Sequence, residues 1–265
     1  MPDALEYSAI EHQFQQVLDN SLDPRGPESL YDVVAGLRLA AGATAVDVGC
    51  GEGDDALELV KRFGFRVQGV DPEPRNVDVA RARAAGMRDR AEFQAGVAEA
   101  LPFDDESVDL LWCKEVITFT DLQLAFKEFA RVLRPGGRGM VYQVLTGPRM
   151  TDTDAREFWE LHLGYGHARS VRPADVERSI ASSGLQLVER VDFGSEWGEY
   201  AQERSGAGGR RLMHAARLLR QPQRYIDEFG EDAYRIMLGD CLWHVYRMIG
   251  KLHGVAFVFR KPASL

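Results

Sequence analysis

The segment Val46-Asp-Val-Gly-Cys-Gly-Glu-Gly53 places glycines at alternate positions directly behind an apolar run. Glycine in such a loop lets the backbone approach a ligand closely, because a side chain on any of them would stand in the way. Asp71 follows Gly51 by 20 residues. At that spacing an acidic residue can hydrogen-bond both hydroxyls of a bound ribose. Loop and carboxylate together describe a nucleotide-type site. Glu52, Asp54 and Asp55 crowd the same loop, and their charge would repel a pyrophosphate seated at the following helix N-terminus. A cationic ligand, a sulfonium with an ammonium group, suits the loop better. Taken singly these features have ordinary explanations: glycines make turns, an aspartate caps a helix, and Leu133-Arg-Pro-Gly-Gly137 stops one. Turn chemistry alone does not set them in order at successive strand ends, where an open sheet binds ligands.

The elements that must position these residues alternate regularly. Apolar periodicity predicts strands at 44–48, 66–70, 91–95, 108–112 and 138–145, with helices at 54–63, 74–85 and 121–132. Such alternation builds a doubly wound, mainly parallel α/β sheet. Two helices, 5–18 and 28–40, precede it, parted by Pro24 and Pro27, and Leu133-Arg-Pro-Gly-Gly137 is expected to end the helix before the fifth strand. Beyond lie helices at 153–163 and 173–183, a strand at 185–193, a helical insertion over 196–250, and a last strand at 255–260. The whole reads as one domain, 1–265. Within it, 1–40 form N-terminal helices, 41–147 a cofactor-binding core, 148–195 the remainder of a seven-stranded sheet, 196–250 a helical cap and 251–265 the last strand.

Thirty-two basic against forty-one acidic side chains give a net charge of -9, which opposes a nucleic-acid partner. Arg210, Arg211, Arg217, Arg220 and Arg224 read as a solvated helix face. Cys50, Cys113 and Cys241 are odd in number and widely spaced, so neither a disulfide framework nor a zinc site is expected. A reducing cytoplasm fits them. No stretch has the pattern of an export signal or a membrane span, and no tight His/Asp/Glu spacing suggests a metal.

Over about residues 40 to 145 the chain resembles the class I S-adenosylmethionine-dependent methyltransferases, in particular those acting on small molecules. Beyond the loop, Val70-Asp71 resembles that family's ribose-binding strand end. Gly96-Val-Ala-Glu-Ala-Leu-Pro-Phe103, followed by Ser107-Val-Asp-Leu-Leu-Trp112, is similar to its adenine loop and fourth strand, and Leu133-Arg-Pro-Gly-Gly137 completes the series. The resemblance implies a Rossmann-like methyltransferase fold with S-adenosylmethionine as methyl donor. It also implies a cofactor site formed by Asp47, Gly49, Cys50, Gly51, Asp71, Pro72, Val97, Ala98, Glu99, Cys113 and Lys114. Val97 stands where the family usually has an aspartate for the adenine amino group, which leaves the backbone of Val97 and Ala98 to read the adenine edge. Phe119 replaces a common histidine in the stretch from Cys113 that opens the substrate cavity, where the part played by Glu115 is open.

Methyl transfer is a displacement at carbon in which the sulfonium is already a good leaving group, so alignment matters most and a general base is optional. The acceptor is an oxygen, nitrogen or carbon nucleophile of a small molecule, as in natural product biosynthesis. Aromatic density nominates Tyr7, Phe14, Phe119, Trp159, Tyr165, Tyr200 and Trp243 for substrate contact. His167 and His244, set among aromatics, are the base candidates, whereas His214 and His253 read as surface or hydrogen-bonded residues. An NAD-dependent oxidoreductase is the alternative in another enzyme class, but it lacks a hydride-transfer constellation and needs a different glycine spacing. A relative that binds S-adenosylmethionine without methylating is a third reading, to which Val97 and Phe119 lend weight. Whether the chain forms a homo-oligomer stays open.

Overall fold

The computed structural model describes residues 7–161 and 170–263. At its centre β1 (Thr44–Val48) pairs in parallel with β2 (Arg66–Asp71) on one side and β4 (Val108–Lys114) on the other. With β3 (Ala91–Ala95), β5 (Leu133–Thr146), β6 (Gln186–Gly194) and β7 (Leu252–Arg260), the sheet runs β3-β2-β1-β4-β5-β7-β6. Only β7 is reversed, antiparallel to both β5 and β6. The chain winds outward in both directions from β1, so a crevice opens where β1 and β4 end side by side. Open α/β sheets take ligands at that switch point.

Alternate side chains feed two separate cores, and burial on both faces explains the near-continuous apolar strands. On one face Ala45, Leu110, Trp112, Met140 and Tyr142 meet α2 (Ser29–Gly36), α3 (Asp54–Phe63) and α4 (Pro74–Arg83). On the other, Val46, Leu111, Val141 and Phe257 pack against Phe126 and Phe129 of α5 (Leu122–Val132) and Ile180 of α7 (Pro173–Ser182). Helix starts near the crevice are chemically specified. Asp121 Oδ1 accepts from the backbone N–H of Gln123 and Leu124 at 3.0 and 3.1 Å to begin α5, and α3 carries Asp54 and Asp55 in its first turn and Lys61 and Arg62 in its last.

Two expected boundaries move. Helix α2 stops at Gly36 rather than near 40, because Leu37 caps it and Arg38 turns left-handed with φ 53°. Leu133-Arg-Pro-Gly-Gly137 is part of β5 instead of a connector. Leu133 pairs with Val108, and the register then jumps to Leu110 opposite Arg138, with the proline and glycines bulged out between.

Between β6 and β7 the chain forms α8 (Glu196–Ser205), α9 (Ala207–Arg220), α10 (Pro222–Phe229) and α11 (Glu231–Met248). Gly206 (φ 65°) and Gly230 (φ 87°) supply conformations that other residues adopt at a cost, and so separate consecutive helices. Helix α11 packs on α6 (Asp152–Leu161), α8, α9 and β7, which brings it back over the carboxyl end of the sheet. Helix α1 (Tyr7–Leu18) is exposed, with Phe14 62% and Val17 66% accessible. Among the described residues no helix is long and apolar enough to cross a membrane.

Candidate cofactor and acceptor site

Past Val48 the chain turns through Gly49 (φ 71°), Gly51 (φ 51°) and Gly53 (φ 84°). They are glycine for different reasons. A Cβ on Gly49 would lie 2.1 Å from Val116 Cγ2, so this loop is pressed against the segment leaving β4. A Cβ on Gly51 would meet nothing within 4 Å, and its absence leaves an open cradle. The loop is pinned from below, since the N–H groups of Gly49 and Cys50 donate to Val70 O at 2.7 and 3.0 Å. Gly51 N–H donates to Asp71 Oδ2 at 2.8 Å. Asp71 Oδ1 in turn accepts from Glu73 N–H and Asn76 Nδ2, each at 3.0 Å. A carboxylate offers about four acceptor sites. Asp71 therefore shapes the loop first and retains room for about one more donor, fewer than the two ribose hydroxyls the sequence suggests for it.

The cradle is electrostatically negative. Asp47 is 2% exposed and its Oδ2 has no hydrogen-bond partner. Burial, then the neighbouring Asp55 carboxylate, pushes its pKa well above the ordinary range, with Lys114 opposing. Lys114 Nζ donates to both oxygens of Asp55, at 3.0 and 2.7 Å, and Tyr31 OH donates to the same carboxylate at 2.6 Å. One ammonium thus faces both Asp47 and Asp55. An orphaned carboxylate oxygen beside an open cradle fits a ligand that brings a cationic donor, as the ammonium and sulfonium of S-adenosylmethionine do.

On the adenine side Gly96 N–H donates to Asp71 O at 3.2 Å, which ties that loop to the end of β2. The carbonyl of Val97 already accepts from Ala100 N–H at 3.2 Å, and its side chain is 43% exposed. Glu99 Oε1 accepts from Asp121 N–H at 2.8 Å and so joins the start of α5. Pro72, exposed, follows Asp71. Cys113 is sealed in the core, where burial raises its thiol pKa and leaves only main-chain atoms for a ligand.

Beside the glycine loop, at the ends of β4 and β5, lies a cavity of about 430 Å³. Trp159 of α6, Trp197 of α8 and Trp243 of α11 wall it, with Phe119 at its edge and Glu115, Gln143, Asp240 and Arg247 as its polar groups. Glu115 has φ 62°, an uncommon conformation for a residue with a side chain. Its Oε2 accepts from Gln143 Nε2 at 2.9 Å and from Val144 N–H at 3.4 Å. Burial raises its pKa, while Arg247, the Val144 N–H and Lys114 hold it down. The Arg247 guanidinium lies 4.4 Å over the Trp243 ring and 5.7 Å from that of Trp197, which itself stacks on Tyr142 at 4.2 Å.

Of the aromatic residues expected at the substrate, the structure brings Phe119, Trp159 and Trp243 to this cavity. Phe14 projects from α1 into solvent, and Tyr200 packs over Gly26 under the Arg204 guanidinium. Neither lines it: Phe14 belongs to a helix standing outside the crevice, and Tyr200, although on the same helix as Trp197, is turned against Gly26. His244 is also absent from the lining. It sits edge-on to Trp243, burial lowers its pKa, and the charges around it are Asp240, Arg211 and Arg247. Tyr165, His167 and the side chain of Tyr7 lie outside the described residues. The sequence assigns no role to Gln143 and Arg247, which also line the cavity. Gln143 did leave a signal, an amide inside the apolar run Met140–Leu145, where a polar group needs a partner. Among the described residues no cluster of His, Cys, Asp and Glu could hold a metal ion.

Known proteins resemble this chain in sequence and in fold. A family model described as a methyltransferase domain matches residues 45–137. Methyltransferase GfsG of Streptomyces halstedii is 33% identical over 187 residues, 67% of this chain and 66% of that protein. The 27-O-demethylrifamycin SV methyltransferase of Amycolatopsis mediterranei (strain S699) is 29% identical over 195 residues, covering 70% of this chain and 71% of its own. The match thus spans about two thirds of these relatives' length. Among solved structures, the [4+2]-cyclase SpnF shares the fold, with a TM-score of 0.69 at 21% identity over 89% of this chain and 82% of that one.

Proposed function

The chain belongs to the class I S-adenosylmethionine-dependent methyltransferases, and we propose that it methylates a nucleophile on a small, largely apolar molecule of specialised metabolism. The observation that carries this reading is the tryptophan-walled cavity beside the glycine loop, of a size suited to a small organic molecule. The names of the relatives support it, since one of them acts on an oxygen of a rifamycin. Likeness to a cyclase at 21% identity concerns the fold alone and favours no second reading.

When bound, S-adenosylmethionine supplies an electrophilic methyl group on a good leaving group. The protein's own work is then placement. Gly49, Gly51 and the backbone of Cys50 form the floor, and Asp47 and Asp55 offset the ligand's positive charge. Asp71 takes a ribose hydroxyl with its remaining acceptor site, and Ala98, with Pro72 and Val97 nearby, borders the adenine. Lys114, paired with Asp55, is placed to meet the methionine carboxylate. Trp159, Trp197 and Trp243 hold the acceptor flat and keep water from the reacting atoms, which converts a bimolecular encounter into an aligned one. The reading includes a cytoplasmic protein, consistent with three free, buried cysteines, and no nucleic-acid partner, consistent with the net charge of -9.

Titration calorimetry with S-adenosylmethionine, S-adenosylhomocysteine and NAD tests the cofactor half. Binding of both sulfur ligands without NAD is expected, and tight NAD binding with no response to the sulfonium sinks the proposal. Release of S-adenosylhomocysteine in the presence of apolar alcohols, phenols and amines reads the acceptor half.

A further inference from the structure

Residues 114 to 116 connect the two halves of the site, and each faces a different way. Lys114 reaches the first turn of α3 through Asp55. Val116 presses on Gly49 of the glycine loop. Between them Glu115 takes a left-handed backbone, φ 62°, and its side chain lines the cavity instead. Non-glycine residues are held in that conformation at a cost, and they concentrate where function demands the placement. The carboxylate is also asymmetrically held. Gln143 and Val144 both donate to Oε2, and Glu115 is among the residues that line the cavity. One oxygen is anchored by two donors, which leaves Oε1 as the atom to take up a proton.

We propose that Glu115 is the proton acceptor of the transfer, with Gln143 as its positioning residue, and that the acceptor molecule therefore offers a hydroxyl group. This deepens the methyltransferase reading and rests on it. In the step, the hydroxyl oxygen forms the new bond to the methyl carbon with a lone pair. The carbon–sulfur bond breaks, its electron pair stays on sulfur as the neutral thioether, and the hydroxyl proton passes to Glu115 Oε1 and later to water. Charge balances, since the cation lost at sulfur reappears as the proton. The charged and titratable groups facing Glu115 are Arg247 and Asp240 from α11, Tyr142 from β5, and Lys114 and Cys113 beside it in the chain. Arg247, fixed over Trp243, keeps a buried carboxylate available in its ionised form. Both histidines expected to serve as base become unnecessary. An amine that reaches the site as the free base needs no proton acceptor while the bond forms, because its proton leaves after transfer.

Glu115→Gln keeps the shape and removes the base. Labelling glutamate carboxyl carbons and titrating the S-adenosylhomocysteine complex by NMR is expected to show one carboxyl titrating above the ordinary glutamate range, absent from the variant. With the hydroxyl compound turned over fastest from a panel of apolar alcohols and phenols, kcat should fall about 100-fold or more. KM and the affinity for S-adenosylhomocysteine should stay within about threefold by the same logic. The acidic limb of the kcat profile, in which rate rises with pH as Glu115 ionises, should disappear, and Glu115→Asp should restore part of the loss. A variant kcat within threefold of the parent overturns the proposal. So does methylation of amines of the same size by a protein that leaves every hydroxyl compound untouched. Failure of the parent to bind S-adenosylmethionine strikes the underlying reading instead.

Discussion

The ends of β1 and β2 and the ends of β4 and β5 lie side by side in one crevice, yet they are built from different materials. The first region is backbone and carboxylate: a loop pinned by Val70 and Asp71, an open cradle at Gly51, and an Asp47 oxygen without a hydrogen-bond partner. The second is side chain: three tryptophans, a carboxylate anchored through one oxygen and an arginine lying on two indoles. A site for an invariant ligand can be written in main-chain geometry, which tolerates changes of side chain nearby. A site for a particular acceptor must be written in side chains, and these come from helices outside the sheet. The two halves should therefore fail independently when they are changed.

The strongest test of that independence is Gly51→Val. Its Cβ meets no other group within 4 Å and its methyl groups extend into the cradle, so cofactor affinity should fall about 100-fold or more, while the left-handed φ costs about 1–2 kcal/mol of stability. Calorimetry and thermal melts read the two effects, and retained affinity would mean the cradle is not the cofactor's seat. Trp243→Ala should act on the other half alone. Loss of a buried aromatic wall is expected to raise the acceptor KM about tenfold or more, with cofactor affinity unmoved, and a matching loss of both would merge the two regions into one.

A smaller effect separates their electrostatics. Asp47 has a raised pKa in the free protein, and a cation beside it favours the ionised form. Cofactor binding below that pKa should release a proton, and affinity should rise with pH until the free-protein pKa is passed. Calorimetry in buffers of different ionisation enthalpy measures the release, and Asp47→Asn should abolish it. The smallest effect concerns the acceptor wall. Asp154 at the start of α6, the helix that carries Trp159, is drawn down to about 2 by Lys251 and Thr151. A depressed acid lends stability above its unfolded pKa and loses it as pH falls through the folded value, so this contribution fades between about pH 4 and pH 2. Lys251→Met should lower the melting temperature at neutral pH by no more than about 2 °C, as befits an ion pair near solvent.

Much of the fold was legible because each strand and helix up to β5 announces itself locally. Asp54 to Phe63 carries its own acid-to-base charge gradient, and Asp121 its own cap. The proline and glycines after Leu133 do end α5 at Val132, but they also open β5, since a helix stop and a β-bulge call for the same residues and only pairing with Val108 reveals the second. Gly51 and Asp71 were legible as a pair, but the hydrogen bond between them, which spends part of the carboxylate on the loop, was not. In the acceptor half, aromatic type alone could not separate Trp243 from Tyr200. One reaches the cavity because α11 folds back over the sheet, and the other covers Gly26.

The sequence by itself determined the order of the strands along the chain, the glycine loop and the charge of its surroundings, because all of these are set by residues near one another. Tertiary structure alone decided the acceptor cavity. Glu115, Gln143, Trp159, Trp197 and Trp243 come from five separate elements or turns, and their meeting depends on how helices pack across the end of the sheet. No local spacing encodes that meeting.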